Sequence, residues 1–124
     1  MSHKILIADD EPNILLSLEF LMKREGYDVV VVRDGRQALE AIIRDHPDLV
    51  LMDVMMPVKS GFDVCQEVRA TEGIKDTPIV MLTAKGRDTD IARGMAMGAT
   101  AYVTKPFSTR EMARQVRELL GRPA

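Results

Sequence analysis

Five residues with charged or hydroxyl side chains stand at the ends of apolar segments in this 124-residue chain: Asp9, Asp10, Asp53, Thr83 and Lys105. Three carboxylates held close together repel one another, and without a counter-charge at least one would stay protonated. A divalent cation removes this conflict, and a site of few carboxylates completed by water suits Mg²⁺. With an ammonium and a hydroxyl added, the same set is suited to binding a phosphoryl group.

Asp53 is the candidate nucleophile of this set. Carboxylates attack phosphorus and form aspartyl phosphates. Asp53 stands alone at the end of the apolar segment 49–53, whereas Asp9 and Asp10 are adjacent and are interpreted as metal ligands. An aspartate that follows a strand is often just a turn residue with no chemical role. The interpretation of Asp53 as a nucleophile therefore depends on where the other four residues lie.

The placement of these residues follows from apolar segments that alternate with helical patterns. Strands are predicted at 4–8, 29–32, 49–53, 79–82 and 101–104, each followed by apolar residues at helical spacing. This alternation predicts a single doubly wound (βα)5 domain, a five-stranded parallel sheet with helices on both faces. Because the carboxyl ends of parallel strands share one edge of the sheet, the five functional residues are expected to meet there.

Several details of the helices are also predicted. Capping patterns begin at Asp34, Ser60 and Ser108, and an acidic residue, Glu11, is expected to cap the first helix before Pro12. The second helix is predicted to bury Ala38, Leu39, Ile42 and Ile43. The fourth helix, about 87–97, is predicted to bury Ile91, Ala92, Met95 and Ala96. Its internal glycine, Gly94, predicts low local stability.

Composition narrows the class of protein. An apolar fraction of 46% and a charged fraction of 29% are typical of a globular domain. The net charge of −2 provides no general attraction to nucleic acid or to an anionic membrane. The single cysteine, Cys65, cannot form an internal disulfide, which agrees with a cytoplasmic location.

The motifs resemble those of a receiver domain of a two-component response regulator, over roughly residues 4 to 120. They are Ile-Ala-Asp-Asp-Glu at 7–11, Asp-Val-Met-Met-Pro at 53–57 with Gly61, Leu-Thr-Ala at 82–84, Gly-Ala at 98–99 and Lys-Pro-Phe at 105–107. Each motif is weak alone, and their order and spacing together are specific. The resemblance implies the strand order 2-1-3-4-5.

The resemblance also implies roles for the site residues. Asp53 is expected to accept a phosphoryl group from a histidine kinase. Asp9 or Asp10, Asp53 and the backbone carbonyl of Met55 are expected to hold Mg²⁺. Lys105 is expected to contact the phosphoryl group.

Further positions carry roles implied by the same resemblance. Thr83 and Tyr102 resemble a switch pair, in which the hydroxyl moves toward the phosphoryl group and the aromatic ring turns inward. The Lys105–Pro106 peptide is expected to be cis, an uncommon state. Lys85, two residues after Thr83, is expected to influence how long the phosphoryl group survives.

At the level of the whole chain, residues 1–124 are expected to form a single receiver domain, with 121–124 as a tail or the start of a linker. The chain either stands alone or belongs to a longer regulator. It is expected to be no enzyme beyond Mg²⁺-dependent self-phosphorylation and autodephosphorylation. The implied partners are a sensor histidine kinase or phosphotransfer protein and a downstream effector, with no direct nucleic-acid or membrane binding.

The expected output surface comprises the fourth helix, the fifth strand and the fifth helix. A phosphorylation-dependent homodimer is also considered, although Thr100-Ala101 stands where one subfamily carries the acidic pair of its salt-bridged dimer.

Three alternatives remain open from the sequence. A flavodoxin-like cofactor binder would place a phosphate against the loop after the first strand, but here that loop is acidic. A phosphatase of the haloacid dehalogenase type needs Asp-x-Asp after the first strand, where this chain has adjacent Asp9 and Asp10. A degenerate receiver used only for binding would lack part of the phosphoryl site, which is complete here.

Overall fold

A computed structural model describes residues 3–84 and 88–121 of the chain, and Lys85 and residues 122–124 lie outside this part. Within it, five strands alternate with five helices. The strands are β1 (Lys4–Ala8), β2 (Asp28–Val32), β3 (Leu49–Asp53), β4 (Ile79–Ala84) and β5 (Ala101–Lys105). The helices are α1 (Pro12–Arg24), α2 (Gly35–Asp45), α3 (Gly61–Arg69), α4 (Asp88–Ala96) and α5 (Thr109–Leu120).

The strands form one parallel sheet in the order β2-β1-β3-β4-β5. This confirms the predicted doubly wound (βα)5 fold and its strand order. Every residue of the central strand β3 is buried, as expected for a strand covered on both faces. Because side chains alternate along a strand, Val50 and Met52 face one side of the sheet and Leu49 and Leu51 face the other.

Two apolar cores therefore flank the sheet. The core on the Val50 side is completed by residues of α2 and α3, including Ala38, Ile42 and Val68. The core on the Leu49 side is completed by α1 and α5, with Leu18, Met22 and Val116 among its members. The two cores fix β3 from both sides, so the carboxyl end of β3, where Asp53 lies, is held in a rigid setting.

Three helices begin at the predicted caps. The side chains of Asp34, Ser60 and Ser108 each accept a hydrogen bond from the main-chain N–H three residues later, at 2.8 to 3.3 Å. The first helix begins differently, because the side chain of Glu11 makes no capping hydrogen bond and Pro12 occupies the first helical position. Glu11 thus occupies the N-cap position, but the prediction that its side chain caps the helix is wrong.

Two predicted helix faces also differ from the structure. Ile43 of α2 is 51% exposed, and Ala41 is buried in its place. The difference for α4 is larger, because Ala92, Met95 and Ala96 are exposed while Gly94 is buried. Helix α4 therefore approaches the sheet along its glycine rather than along its alanines.

None of the helices in the described ranges is long and apolar enough to cross a membrane.

Candidate functional site

The five residues predicted from the sequence meet at the carboxyl edge of the sheet. Asp9 and Asp10 follow β1, Asp53 ends β3, Thr83 lies near the end of β4 and Lys105 ends β5. A cleft of about 290 Å³ opens at this edge. Its walls are formed by Asp10, Glu11, Asp53, Val54, Met55, Thr83, Ala84 and Lys105.

Three carboxylates converge on this cleft. Asp9, Asp10 and Asp53 each offer an oxygen atom that lies within 4.8 Å of the other two. Asp9 is fully buried and Asp53 is 6% exposed, whereas Asp10 is exposed to solvent. Like charges at this separation in a partly buried site favour either proton uptake or a bound cation.

The carboxylate of Asp53 shows this effect. Burial, followed by the negative charge of Asp9, raises the pKa of Asp53 from 3.8 to about 6. Lys105 and the main-chain N–H of Met55, which donates to Oδ1 at 3.3 Å, act in the opposite direction. At neutral pH the carboxylate is therefore mostly ionised but lacks much of the solvation that an exposed aspartate would have.

Lys105 supplies the positive charge at the centre of the site. Its Nζ lies 3.0 Å from Asp9 Oδ2, 3.1 Å from Glu11 Oε1 and 3.5 Å from Asp53 Oδ2. Burial opposes the ammonium form, but these carboxylates outweigh burial and raise the pKa of Lys105 above its usual value. The peptide bond between Lys105 and Pro106 is cis.

Glu11 is a site residue that the sequence reasoning missed. It was interpreted only as a helix cap, yet its carboxylate pairs with Lys105 across the mouth of the cleft. Its main-chain N–H donates to Asp9 Oδ1 at 2.9 Å. The acidic run 9–11 was the available signal, but the sequence could not show that its third carboxylate turns away from α1 toward β5.

Thr83 presents an unsatisfied hydroxyl to the site. The residue is 2% exposed, and its Oγ1 has no hydrogen-bond partner among the described residues. A buried hydroxyl without a partner is costly unless a ligand group satisfies it. Thr83 lines the same cleft as Asp53 and Lys105, so an anionic oxygen bound there could accept its hydrogen bond.

The donor set fits Mg²⁺. Three carboxylates share one cleft, and among the described residues Asp9 Oδ2 receives no well-aligned hydrogen bond, although Lys105 Nζ lies 3.0 Å away. Met55 stands on the cleft wall two residues after Asp53. Oxygen donors beside an open cleft, where water completes the coordination, match the preferences of this ion.

The first residue of α3 packs tightly against the end of β3. A Cβ atom at Gly61 would overlap the carbonyl oxygen of Asp53, and the Gly61 N–H donates to Val54 O at 2.8 Å. Val58, in the loop between β3 and α3, has a φ of +73°, a left-handed conformation that β-branched residues rarely adopt. The loop therefore holds a strained residue five positions after Asp53.

Tyr102 lies behind the cleft rather than on its wall. It is a half-buried residue of β5 that pairs in register with Met81 of β4, two residues before Thr83. Its ring packs against the core on the α2 and α3 side. The structure thus places Tyr102 on β5, next to the strand that carries Thr83 and three residues before Lys105.

This protein has a parallel α/β sheet with an acidic pocket, a lysine and a threonine at the carboxyl edge, which is the arrangement suited to a phosphoryl-binding site. The family model of the response regulator receiver domain matches residues 5–117 of the sequence. The chain belongs to this family, whose members receive a phosphoryl group from histidine kinases. Membership in this family confirms the resemblance to a receiver domain. It also excludes the flavodoxin-like cofactor binder and the dehalogenase-type phosphatase as alternatives.

Solved structures of bacterial proteins agree with this assignment. The chain is 34% identical to a Chloroflexus aurantiacus protein described as a response regulator, with a TM-score of 0.94 over 98% of this chain and 100% of the other. It is 32% identical to the chemotaxis response regulator CheY4 of Vibrio cholerae, with a TM-score of 0.90 over 96% and 99% of the two chains.

A third similar structure concerns the metal. The receiver domain of the Pseudomonas aeruginosa sensor histidine kinase PA1611 is 32% identical, with a TM-score of 0.91 over 98% of this chain and 100% of the other. That domain has a magnesium ion coordinated in its active site cleft.

Proposed function

We propose that this chain is a phosphoacceptor switch in which Asp53 takes a phosphoryl group from a histidine kinase or phosphotransfer protein with the help of Mg²⁺. One observation supports this above the others. In a single cleft, the buried Asp53 carboxylate lies beside the Lys105 ammonium, an unsatisfied Thr83 hydroxyl and two further carboxylates.

The transfer requires the ionised form of Asp53. One oxygen of the carboxylate attacks phosphorus, and a new oxygen–phosphorus bond forms while the bond between phosphorus and the donor's imidazole nitrogen breaks. The electron pair of that bond returns to the nitrogen. Because the pKa of Asp53 is about 6, most of the carboxylate is ready for this step at neutral pH.

The other site residues neutralise and orient the transferred group. The Asp9, Asp10 and Asp53 carboxylates and the Met55 carbonyl would hold Mg²⁺, which supplies positive charge to the phosphoryl oxygens. Lys105, at the end of the edge strand β5, supplies a second positive charge to the phosphoryl oxygens, and the Thr83 hydroxyl donates a hydrogen bond to one of these oxygens.

Phosphorylation would then alter the surface formed by α4, β5 and α5. The added charge draws Thr83 toward the phosphoryl group, and Tyr102 follows inward on the neighbouring strand. The proposed role places the chain in the cytoplasm, as one receiver domain that signals to an effector protein or domain or to a second copy of itself. Its own chemistry is limited to self-phosphorylation and autodephosphorylation, the latter with Lys85 as a proposed influence on rate.

The test is the intact mass of the protein after incubation with acetyl phosphate and Mg²⁺. The expected result is a gain of one phosphoryl group that disappears in Asp53→Asn and in the absence of the metal. Asp63→Asn is the matched control, because Asp63 is an exposed aspartate of α3 away from the cleft. Labelling that persists in Asp53→Asn would contradict the assignment of the acceptor.

If acetyl phosphate gives no label, a phosphorylated histidine phosphotransfer domain is used as the donor. Absence of label with both donors would refute the proposal, because the chain would then be a receiver that only binds partners.

A further inference from the structure

Gly94 lies at a point of α4 where a side chain could not fit. The residue is buried, although Ala92, Met95 and Ala96 around it are exposed. A Cβ atom built at Gly94 would overlap the hydroxyl oxygen of Tyr102, and the three nearest atoms all belong to that tyrosine. The position that the Tyr102 side chain occupies in this structure therefore requires that residue 94 have no side chain.

Flexibility of α4 does not explain this glycine. Glycine is the poorest helix former after proline, so its presence in a nine-residue helix needs another reason. The C-terminal cap of α4 does not explain it either. The Gly94 carbonyl accepts hydrogen bonds from the N–H groups of Met97 and Ala99 at 3.1 and 3.0 Å, as in a Schellman motif, and the left-handed residue of that motif is Gly98. The close approach of Tyr102 is such a reason.

Helix α4 cannot easily move away to make room for a larger residue. The Arg93 guanidinium lies 4.5 Å from the centre of the Phe62 ring of α3. Just after the helix, the Gly98 carbonyl accepts a hydrogen bond from Arg69 Nε at 2.8 Å. These two contacts hold the C-terminal end of α4 against α3. A side chain at position 94 would therefore displace the Tyr102 ring more readily than it would displace the helix.

We propose that Gly94 is the slot that accepts the inward Tyr102 side chain, and that the size of residue 94 sets the balance between the inward and outward positions of the ring. The inference rests on the proposed function in one respect, namely that Tyr102 is the aromatic member of the switch pair. Since phosphorylation at Asp53 favours the inward ring, any change that closes the slot also disfavours phosphorylation, because the two equilibria are linked.

The slot is tested first by thermal unfolding of a double-mutant cycle without any phosphodonor. Gly94→Ala is measured in the wild type and in Tyr102→Ala. In Tyr102→Ala the substitution is expected to raise Tm, because alanine is a better helix former. In the wild type it is expected to lower Tm or to raise it clearly less, because the ring must leave its position. Equal shifts in the two backgrounds would overturn the proposal.

Ala92→Gly provides the matched control for helix propensity. Ala92 is exposed in the same helix, so this change should lower Tm by the same amount with and without the Tyr102 ring. If Gly94→Ala does not fold, the double variant decides. Recovery of folding in Gly94→Ala/Tyr102→Ala supports the slot, and failure to recover contradicts it.

The position of the ring itself is read from tyrosine fluorescence. The chain has two tyrosines and no tryptophan, so Tyr27→Phe leaves Tyr102 as the only emitter. In this background Gly94→Ala is expected to increase acrylamide quenching toward the value for an exposed tyrosine. Unchanged quenching would mean that the ring keeps its place and that Gly94 is no slot.

Phosphorylation then links the slot to the switch. At a fixed acetyl phosphate concentration, the phosphorylated fraction of Gly94→Ala is expected to be lower than that of the wild type. If the wild type takes no label at all, the proposed function fails, while the unfolding and quenching results still decide whether the slot exists. If the wild type takes label but Gly94→Ala shifts Tm equally in the two backgrounds, or leaves acrylamide quenching unchanged, the slot alone is refuted.

Discussion

The ionised carboxylate of Asp53 serves the proposed chemistry and weakens the fold. Burial and the neighbouring Asp9 raise its pKa to about 6, which means that the folded protein resists the charged form. A carboxyl group whose pKa is raised on folding destabilises the folded state progressively as pH rises from the unfolded to the folded pKa, and fully above the folded pKa. The reactive residue is thus a local cost to stability that a bound cation would offset.

The first prediction concerns the pH dependence of this cost. Well below pH 3.8 Asp53 is protonated in both states, so its pKa shift does not affect stability; the destabilisation develops as pH rises above 3.8 and is complete above about 6. Without metal, Asp53→Asn is expected to stabilise the protein by roughly 3 kcal/mol at pH 8 and by roughly 1 kcal/mol at pH 4.5. Urea unfolding at the two pH values measures the difference. An equal gain at both would rule out this explanation.

The second prediction concerns Glu11, which competes for Lys105 at the mouth of the cleft. Glu11→Gln removes a negative charge that faces an incoming phosphate donor and frees the Lys105 ammonium. We expect faster labelling by acetyl phosphate, with a change in stability below about 1 kcal/mol because Glu11 is largely exposed.

Glu19→Gln, which removes a carboxylate of α1 that pairs with Lys23, is the control and should leave the labelling rate unchanged. Slower labelling of Glu11→Gln would contradict the competition.

At the scale of elements, Arg69 joins three segments. It stands at the end of α3 and donates to the carbonyl oxygens of Gly98, Lys75 and Thr77 at 2.8, 2.9 and 2.7 Å. Two of these acceptors precede β4, and the third lies between α4 and β5. A single guanidinium therefore fixes the starts of two neighbouring strands that lead to Thr83 and Lys105.

The third prediction follows from these contacts. Arg69→Ala is expected to lower the free energy of unfolding by about 2 to 3 kcal/mol, because charged hydrogen bonds to main-chain acceptors are lost. Arg69→Lys should recover only part of this, since an ammonium cannot reach all three carbonyl groups. Arg114→Ala is the control, because its two ion pairs with Glu111 and Glu118 are exposed and should matter little. Similar losses in Arg69→Ala and Arg114→Ala would refute this role.

The elements also show what could be predicted from the sequence. Strand ends were predictable because each apolar run stops at a polar residue, and this placed Asp53, Thr83 and Lys105 at one edge. The buried face of α4 was not predictable, because this nine-residue helix has only four apolar side chains, one isoleucine, two alanines and one methionine, and they form no strong stripe. That face is decided by the hydroxyl of Tyr102 meeting Gly94, a contact between distant residues that periodicity does not encode.

At the scale of the whole molecule, the sheet edge and both cores depend on each other. Carboxylates from β1 and β3 and an ammonium from β5 meet only when the sheet is complete. A cation that binds this edge therefore binds the folded chain and not the unfolded one, and it should stabilise the entire domain.

The fourth prediction concerns Mg²⁺. At ten times its dissociation constant, the ion is expected to add roughly 1.4 kcal/mol to the free energy of unfolding. Calorimetry with MgCl₂ against NaCl of equal ionic strength measures the shift in Tm. Asp9→Asn should abolish the shift, and Asp63→Asn should retain it. A shift of the same size in Asp9→Asn would mean that the ion binds elsewhere.

Val58 has a consequence for how this protein would respond to selection. Its left-handed backbone favours glycine or asparagine, so a single substitution can relieve strain that no rearrangement of the core could remove. In a library of random variants screened for survival after heating, Val58→Gly and Val58→Asn should be recovered early and repeatedly. Exposed positions in regular structure, such as Val31 of β2, should yield no such enrichment for these two residues.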